Sequence, residues 1–136
     1  MKLIDTHTHL YVEAFDEDRD QVIEKAIAVG VERFYLPAID STYTARMLDL
    51  EKKYPDHIRL MMGLHPTHVK ENYKEELLHV EQFLAKRNFA AVGEIGIDLY
   101  WDKSFLKQQQ EAFDAQISWA KEKELPIVIH CRDAFD

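Results

Sequence analysis

Five apolar runs alternate along this chain with four stretches of helical periodicity, and histidines and a glutamate stand where several of those runs end. Together these features predict an α/β fold on a parallel sheet, of the (β/α)8 TIM-barrel type, with about the first four and a half βα units present. The runs are apolar on both faces instead of alternating, which marks strands covered by helices. An open doubly wound sheet shares that signature. Polar residues at four separate strand ends favour the barrel, whose reactive groups gather at the C-terminal rim of the strands.

The first run, residues 3–10, reads Leu-Ile-Asp-Thr-His-Thr-His-Leu. As a strand it has a period of two, so Asp5, His7 and His9 share a face. Residues two apart along a strand are separated by about 6.6 Å, which lets both imidazoles converge on one ion at the roughly 2.0–2.1 Å of a histidine–zinc bond. Residues 11–15 are expected as loop and 16–29 as a helix, with Val22, Ile23, Ala26 and Ile27 at helical spacing, acidic residues at its start and Gly30 as its stop. Residues 34–39 suit a buried strand with Pro37 near its end, and Asp40, Ser41 or Thr42 can cap a helix reaching about Tyr54.

A third run at 58–64 leads into Gly63-Leu64-His65-Pro66, and a helix is expected over about 74–87 through Leu77, Leu78, Phe83 and Leu84. Residues 89–97 form the fourth strand. Ser104 can cap a fourth helix in which Leu106, Phe113, Ile117 and Ala120 recur at helical spacing, and 125–130 form the fifth strand. The whole is read as one domain over residues 1–136. As part of a barrel that typically takes about 250 residues, it would present open sheet edges, and these favour self-association.

Composition is that of an ordinary folded domain, with 46% hydrophobic and 31% charged residues. There is neither an apolar stretch long enough for a membrane span nor a signal-peptide pattern, so a cytoplasmic protein without a membrane partner is expected. The single Cys131 fits a reducing compartment. A net charge of −8 argues against holding nucleic acid on a broad basic surface, but not against a local catalytic encounter. Four glycines, none in a phosphate-loop pattern, exclude a dinucleotide fingerprint.

The chemistry concentrates at the strand ends. Glu94 lies between Gly93 and Gly96 inside an apolar strand, where an unpaired charge would cost several kcal/mol. It therefore needs a cation, a proton or strong donors, and it is the catalytic candidate: a carboxylate can bridge two ions. A Lys or Arg from another strand would satisfy it as well. His130 ends the fifth run, either as a metal ligand beside His7, His9 and Glu94 or as a core histidine bonded to backbone. His65 is placed to bind substrate or orient a ligand. Arg132 suits a phosphate or carboxylate, or pairs with Asp133 or Asp136. Asp98 is read as a loop cap or as support for the site. Tyr100 and Trp101 either stack on a nucleobase or pack on their own domain. His57, His68 and His79 are expected to be solvated.

Asp-Thr-His-Thr-His-Leu, Gly-Leu-His-Pro, Gly-Glu-Ile-Gly-Ile-Asp and Ile-His-Cys-Arg-Asp occur in this order. Taken together they resemble the TatD family of metal-dependent deoxyribonucleases, in the amidohydrolase-like superfamily, across the whole chain. The resemblance implies a TIM barrel and a divalent-metal-dependent hydrolase of phosphodiester bonds, a 3′–5′ DNA exonuclease acting on single strands or 3′ ends through metal-activated water. It implies two divalent ions, of magnesium, manganese or zinc, with His7 and His9 on one, Glu94 bridging and His130 on the other. A further His and an Asp of the family pattern lie beyond these residues. The superfamily also admits amide, lactone or aminoacyl ester hydrolysis, and a third reading is an inactive, self-associating half-barrel.

Overall fold

The computed structural model describes all residues, Met1–Asp136. Its elements follow the expected order: β1 (Leu3–Asp5), α1 (Arg19–Ala28), β2 (Val31–Leu36), α2 (Thr44–Lys53), β3 (Ile58–Met62), α3 (Tyr73–Lys86), β4 (Ala91–Asp98), α4 (Leu106–Glu122) and β5 (Ile127–Arg132). All strand pairs are parallel, and the strands lie side by side in chain order, β1-β2-β3-β4-β5. A doubly wound sheet needs a point where strand order reverses; here there is none. The five strands form a curled half-barrel. No helix is long and apolar enough to cross a membrane.

The core lies between the sheet and its helices and includes Ile23, Phe34, Leu36, Met47, Ile58, Leu60, Val80, Leu84, Val92 and Ile95. Several boundaries differ from expectation for local reasons. β1 stops at Asp5, so His7 and His9 stand beyond the strand, although the Thr8 amide still reaches Tyr35 O at 3.1 Å. Helix α1 starts at Arg19 because its guanidinium bonds the carbonyls of Leu10 and Val12, at 2.6 and 2.8 Å, tying the preceding turn down. Asp40 does cap, but a short 3-10 turn at Ser41–Tyr43, before α2 begins. Ser104 caps nothing: its amide and hydroxyl are both taken by Asp102 Oδ1, and α4 begins at Leu106.

Helix α4 also departs from a simple apolar stripe. Leu106 is exposed, while Gln109 and Gln116, one heptad apart, are buried. Gln109 exchanges two bonds with the backbone of Asp98, 2.8 Å from its amide and 3.0 Å to its carbonyl. Gln116 accepts from the Leu64 amide at 2.7 Å. Each buried amide thus fastens the helix to the C-terminal end of a strand, and buried polar groups persist only when bonded this way. Those two strand ends carry Asp98 and His65. Leu78, expected on the inner face of α3, is exposed instead; Val80 and Leu84 make the contact.

Candidate metal centre at the strand ends

Glu94 is the point where the strand ends meet. Its strand is buried along almost its whole length, and the β4–β5 register shifts between Gly93 and Ile95, a bulge that re-aims the side chain. Gly96 pairs with His130, and a Cβ at Gly96, whose φ is +144°, would stand 1.9 Å from His130 O. Only glycine allows β5 to come so close, and that approach delivers His130 to Glu94.

The two carboxylate oxygens face different pairs of histidines. Oε1 lies 3.1 Å from His7 Nε2 and 3.4 Å from His9 Nε2. Oε2 lies 3.1 Å from His130 Nδ1 and 3.4 Å from His65 Nε2. Oε1 is fully buried yet has no hydrogen-bond partner. The donor atoms of His7, His9 and Glu94 fall within 4.8 Å of one another, as do those of His65, Glu94 and His130. Burial pushes the Glu94 carboxyl up, but the histidines gathered around it, His65 foremost, outweigh that effect and hold the group well below the usual carboxylate range.

Hydrogen bonds to their far nitrogens separate three of the four imidazoles. Tyr11 is buried and gives its only proton to Pro37 O at 2.6 Å, so its oxygen accepts from His9 Nδ1, 3.1 Å away. Neutral His9 therefore carries its proton on Nδ1 and turns the Nε2 lone pair toward Oε1. A lone pair facing a carboxylate oxygen makes no bond, so His9 leaves Oε1 without a donor from its side. His65 is the opposite case. Its Nδ1 accepts the Thr67 amide at 3.1 Å, so the proton resides on Nε2. His65 is a donor toward Glu94 Oε2, not a ligand. His130 Nε2 lies 2.7 Å from Asp98 Oδ2, and the carboxylate takes that proton and leaves Nδ1 free toward Glu94.

Asp98 meets both expectations held for it, since its Oδ1 accepts the Tyr100 amide at 3.0 Å while Oδ2 holds His130. Burial raises its pKa, and the bonds from His130 and Tyr100 bring it below its ordinary value. Arg132 pairs with neither Asp133 nor Asp136; its guanidinium lies 3.7 Å over the Tyr100 ring. The remaining histidines are not simply solvated. His68 Nδ1 pairs with Asp40, His79 Nε2 with Thr44 Oγ1 and His57 Nδ1 with Glu32 O, each at 2.8 Å. Tyr11 was not anticipated, although it shares the parity of Asp5, His7 and His9 and so carried a readable signal. Gln109 and Gln116 carried none, because glutamine on a helix reads as surface.

The model of the family described as TatD related DNase matches residues 4–136. The chain belongs to the TatD-related DNase family. Among curated relatives, an uncharacterized metal-dependent hydrolase of Bacillus subtilis (strain 168), YabD, is 40% identical over 132 residues, covering 97% of this chain and 51% of that protein. A 3′-5′ ssDNA/RNA exonuclease TatD of Erwinia tasmaniensis is 31% identical, over 98% of this chain and 52% of that one. The crystal structure of the TatD homologue YjjV from Escherichia coli K12 superposes with a TM-score of 0.86 at 33% identity, covering 96% of this chain and 51% of its own. The chain thus spans about half the length of the curated relatives it matches.

Proposed function

We propose that residues 1–136 form one domain, the N-terminal part of a metal-dependent hydrolase barrel, and that the protein cleaves phosphodiester bonds as a 3′–5′ exonuclease of single-stranded DNA. In this reading His7 and His9 hold one divalent ion, His130 a second, and Glu94 bridges both. One observation carries it: a buried, ionised Glu94 whose Oε1 has no hydrogen-bond partner and faces imidazole nitrogens. A buried charged group left so costs more than the roughly 1–3 kcal/mol of a neutral one, and a cation among these donors removes that cost. The donor set fits: neutral imidazole and carboxylate suit zinc and manganese, and carboxylate suits magnesium.

The chemistry that divalent ions supply in such a centre is polarisation of a phosphoryl oxygen and acidification of water. The protein's own groups do the rest. His65 Nε2 donates to a phosphoryl oxygen on the Oε2 side of Glu94. Arg132, with no carboxylate on it, takes the non-bridging oxygens in its planar fork. Asp98 keeps the His130 proton on Nε2 and so fixes its ring. No side-chain nucleophile is required. Phosphodiester cleavage is preferred over amide or ester cleavage because the uncommitted cation at the site is a guanidinium, and because some relatives are named as exonucleases.

The test is zinc or manganese titration of the full-length protein by calorimetry, with hydrolysis of single-stranded DNA measured beside a panel of carboxylic esters. Metal binding that is lost in H7A/H9A, with cleavage of DNA but not of esters, is the expected result. Unchanged metal content and DNA cleavage in H7A/H9A would refute the site. A second property is supported by the exposure of Leu3, Ile4 and Ile129 on the edge strands: the 136-residue chain self-associates through those edges, and sedimentation giving a monomer at all concentrations would exclude it.

A further inference from the structure

Beside the centre stands a group of side chains of which the phosphodiester reading uses only Arg132. Trp101 is 72% exposed and Tyr100 51%, the two rings meeting edge to face with centroids 4.7 Å apart. Arg132 covers the Tyr100 ring at 3.7 Å and lies 5.7 Å from the Trp101 ring. The loop bearing them is fastened on both sides. The Leu99 amide bonds Arg132 O at 3.0 Å, the Tyr100 amide bonds Asp98 Oδ1, and Asp102 holds Ser104 through two bonds. The platform is therefore rigid and one hydrogen-bonded residue from the centre, because the Asp98 carboxylate that anchors Tyr100 also grips His130.

We infer that Trp101, with Tyr100 and Arg132, forms a subsite for the nucleotide flanking the scissile phosphate. Its base stacks on Trp101, beside the Arg132 guanidinium that holds the scissile phosphate joined to it. This rests on the phosphodiester reading of the adjacent centre. Three features converge on such a ligand. An exposed indole on a fixed loop offers a π face, and stacking accepts any base. Arg132 is held by an aromatic face instead of a carboxylate and makes no side-chain hydrogen bond, so its N–H donors remain available to an anion. Finally, a net charge of −8 argues against a broad basic surface and favours a local grip on phosphate. A flat ring joined to a phosphate is the chemistry these residues fit, and the base is held without being read.

The test compares single-stranded oligonucleotides carrying natural or abasic residues at the 3′ end, using metal-loaded full-length wild type, W101A and W101F. For the wild type, removal of the bases should raise KM about 10- to 100-fold, as expected for loss of one stacked base, with kcat within about threefold. In W101A the natural substrate should show that same KM, and the abasic one no further change; W101F should recover part of the difference. Independently of turnover, the fluorescence component present in W119F and absent from W101F/W119F should be quenched by oligonucleotides with bases and not by abasic ones. If wild type and W101A discriminate equally between the substrates, or if Trp101 fluorescence is indifferent to the base, the subsite is refuted while phosphodiester cleavage stands. If the wild type cleaves neither oligonucleotide, the phosphodiester reading fails and the subsite with it.

Discussion

Replacement of Tyr11 by Phe separates a packing role from a metal-centre role. The ring is 1% exposed and would remain in place, so only the hydroxyl is lost. Its loss strands Pro37 O, which now accepts at 2.6 Å, and a buried carbonyl left unpaired costs about 1–3 kcal/mol. It also strands His9 Nδ1, whose proton has the Tyr11 oxygen as acceptor at 3.1 Å. Without that acceptor, the ring is free to move its proton to Nε2, the nitrogen facing Glu94. Loss of such an orienting partner typically weakens metal binding about 10- to 100-fold, or about 1.4–2.7 kcal/mol. Competition against a chromophoric zinc chelator measures the affinity, and urea unfolding of the metal-free protein measures stability. Tyr43→Phe is the control: its hydroxyl bonds Glu13 at the surface and its ring lies 5.5 Å from that of Tyr11. The control should leave metal affinity unchanged. If Y11F loses stability but binds zinc as the wild type does, Tyr11 is a core residue only and does not set the proton of His9.

Three further outcomes follow from the same geometry. His65→Gln should keep metal affinity within about twofold, because His65 donates and does not ligate, while kcat on DNA falls about 10²- to 10³-fold, the usual effect of removing one donor to developing charge; a loss of bound metal by calorimetry would make His65 a ligand. Gly96→Ala should destabilise the fold by about 2–4 kcal/mol in urea, since its Cβ would collide with His130 O at a positive φ that alanine disfavours; a wild-type midpoint would mean that the two strands can part freely. Asp16 is held below its ordinary pKa by hydrogen bonds from Arg19, with Arg46 adding to the effect. A depressed folded value contributes stability that is present above the unfolded pKa of about 3.9 and lost as pH falls. The Asp16→Asn variant should therefore show a shallower loss of stability below about pH 4, and an acid limb identical to the wild type's would remove Asp16 from it.

The strands were legible because a parallel sheet buries both faces, so Leu60, Met61 and Met62, or Phe89 through Gly93, stand out as unbroken apolar or small-residue runs. The residues of the centre were legible for the complementary reason, that Glu94 and His130 are polar groups where such runs should be apolar. Less visible was anything decided by a single hydrogen bond across the fold. Strand parity placed His7 and His9 together, yet β1 ends before either, and it is the chain beyond the strand that presents them. The contrast between His9 and His65 depends on Tyr11 and Thr67, which act through one proton each, and periodicity does not register protons. The buried glutamines of α4 were hidden for the same reason: their partners are backbone groups of other elements.

That proton bookkeeping also makes the two sides of Glu94 unequal. On the Oε1 side the carboxylate faces two ring nitrogens, and at His9 the lone pair is turned inward by Tyr11. On the Oε2 side one nitrogen, His130 Nδ1, is left free by Asp98, while the other, His65 Nε2, carries a proton. A cation on the Oε1 side would meet three donors from these residues, and one on the Oε2 side only two, beside an N–H pointed at it. In the proposed two-ion centre, residues 1–136 would therefore supply the first position more completely than the second, and titration of the 136-residue chain should fill them in that order. The protonated nitrogen that weakens the second position is also the one placed to donate to a phosphoryl oxygen. A feature that lowers affinity for an ion is then what leaves room and polarity for a substrate.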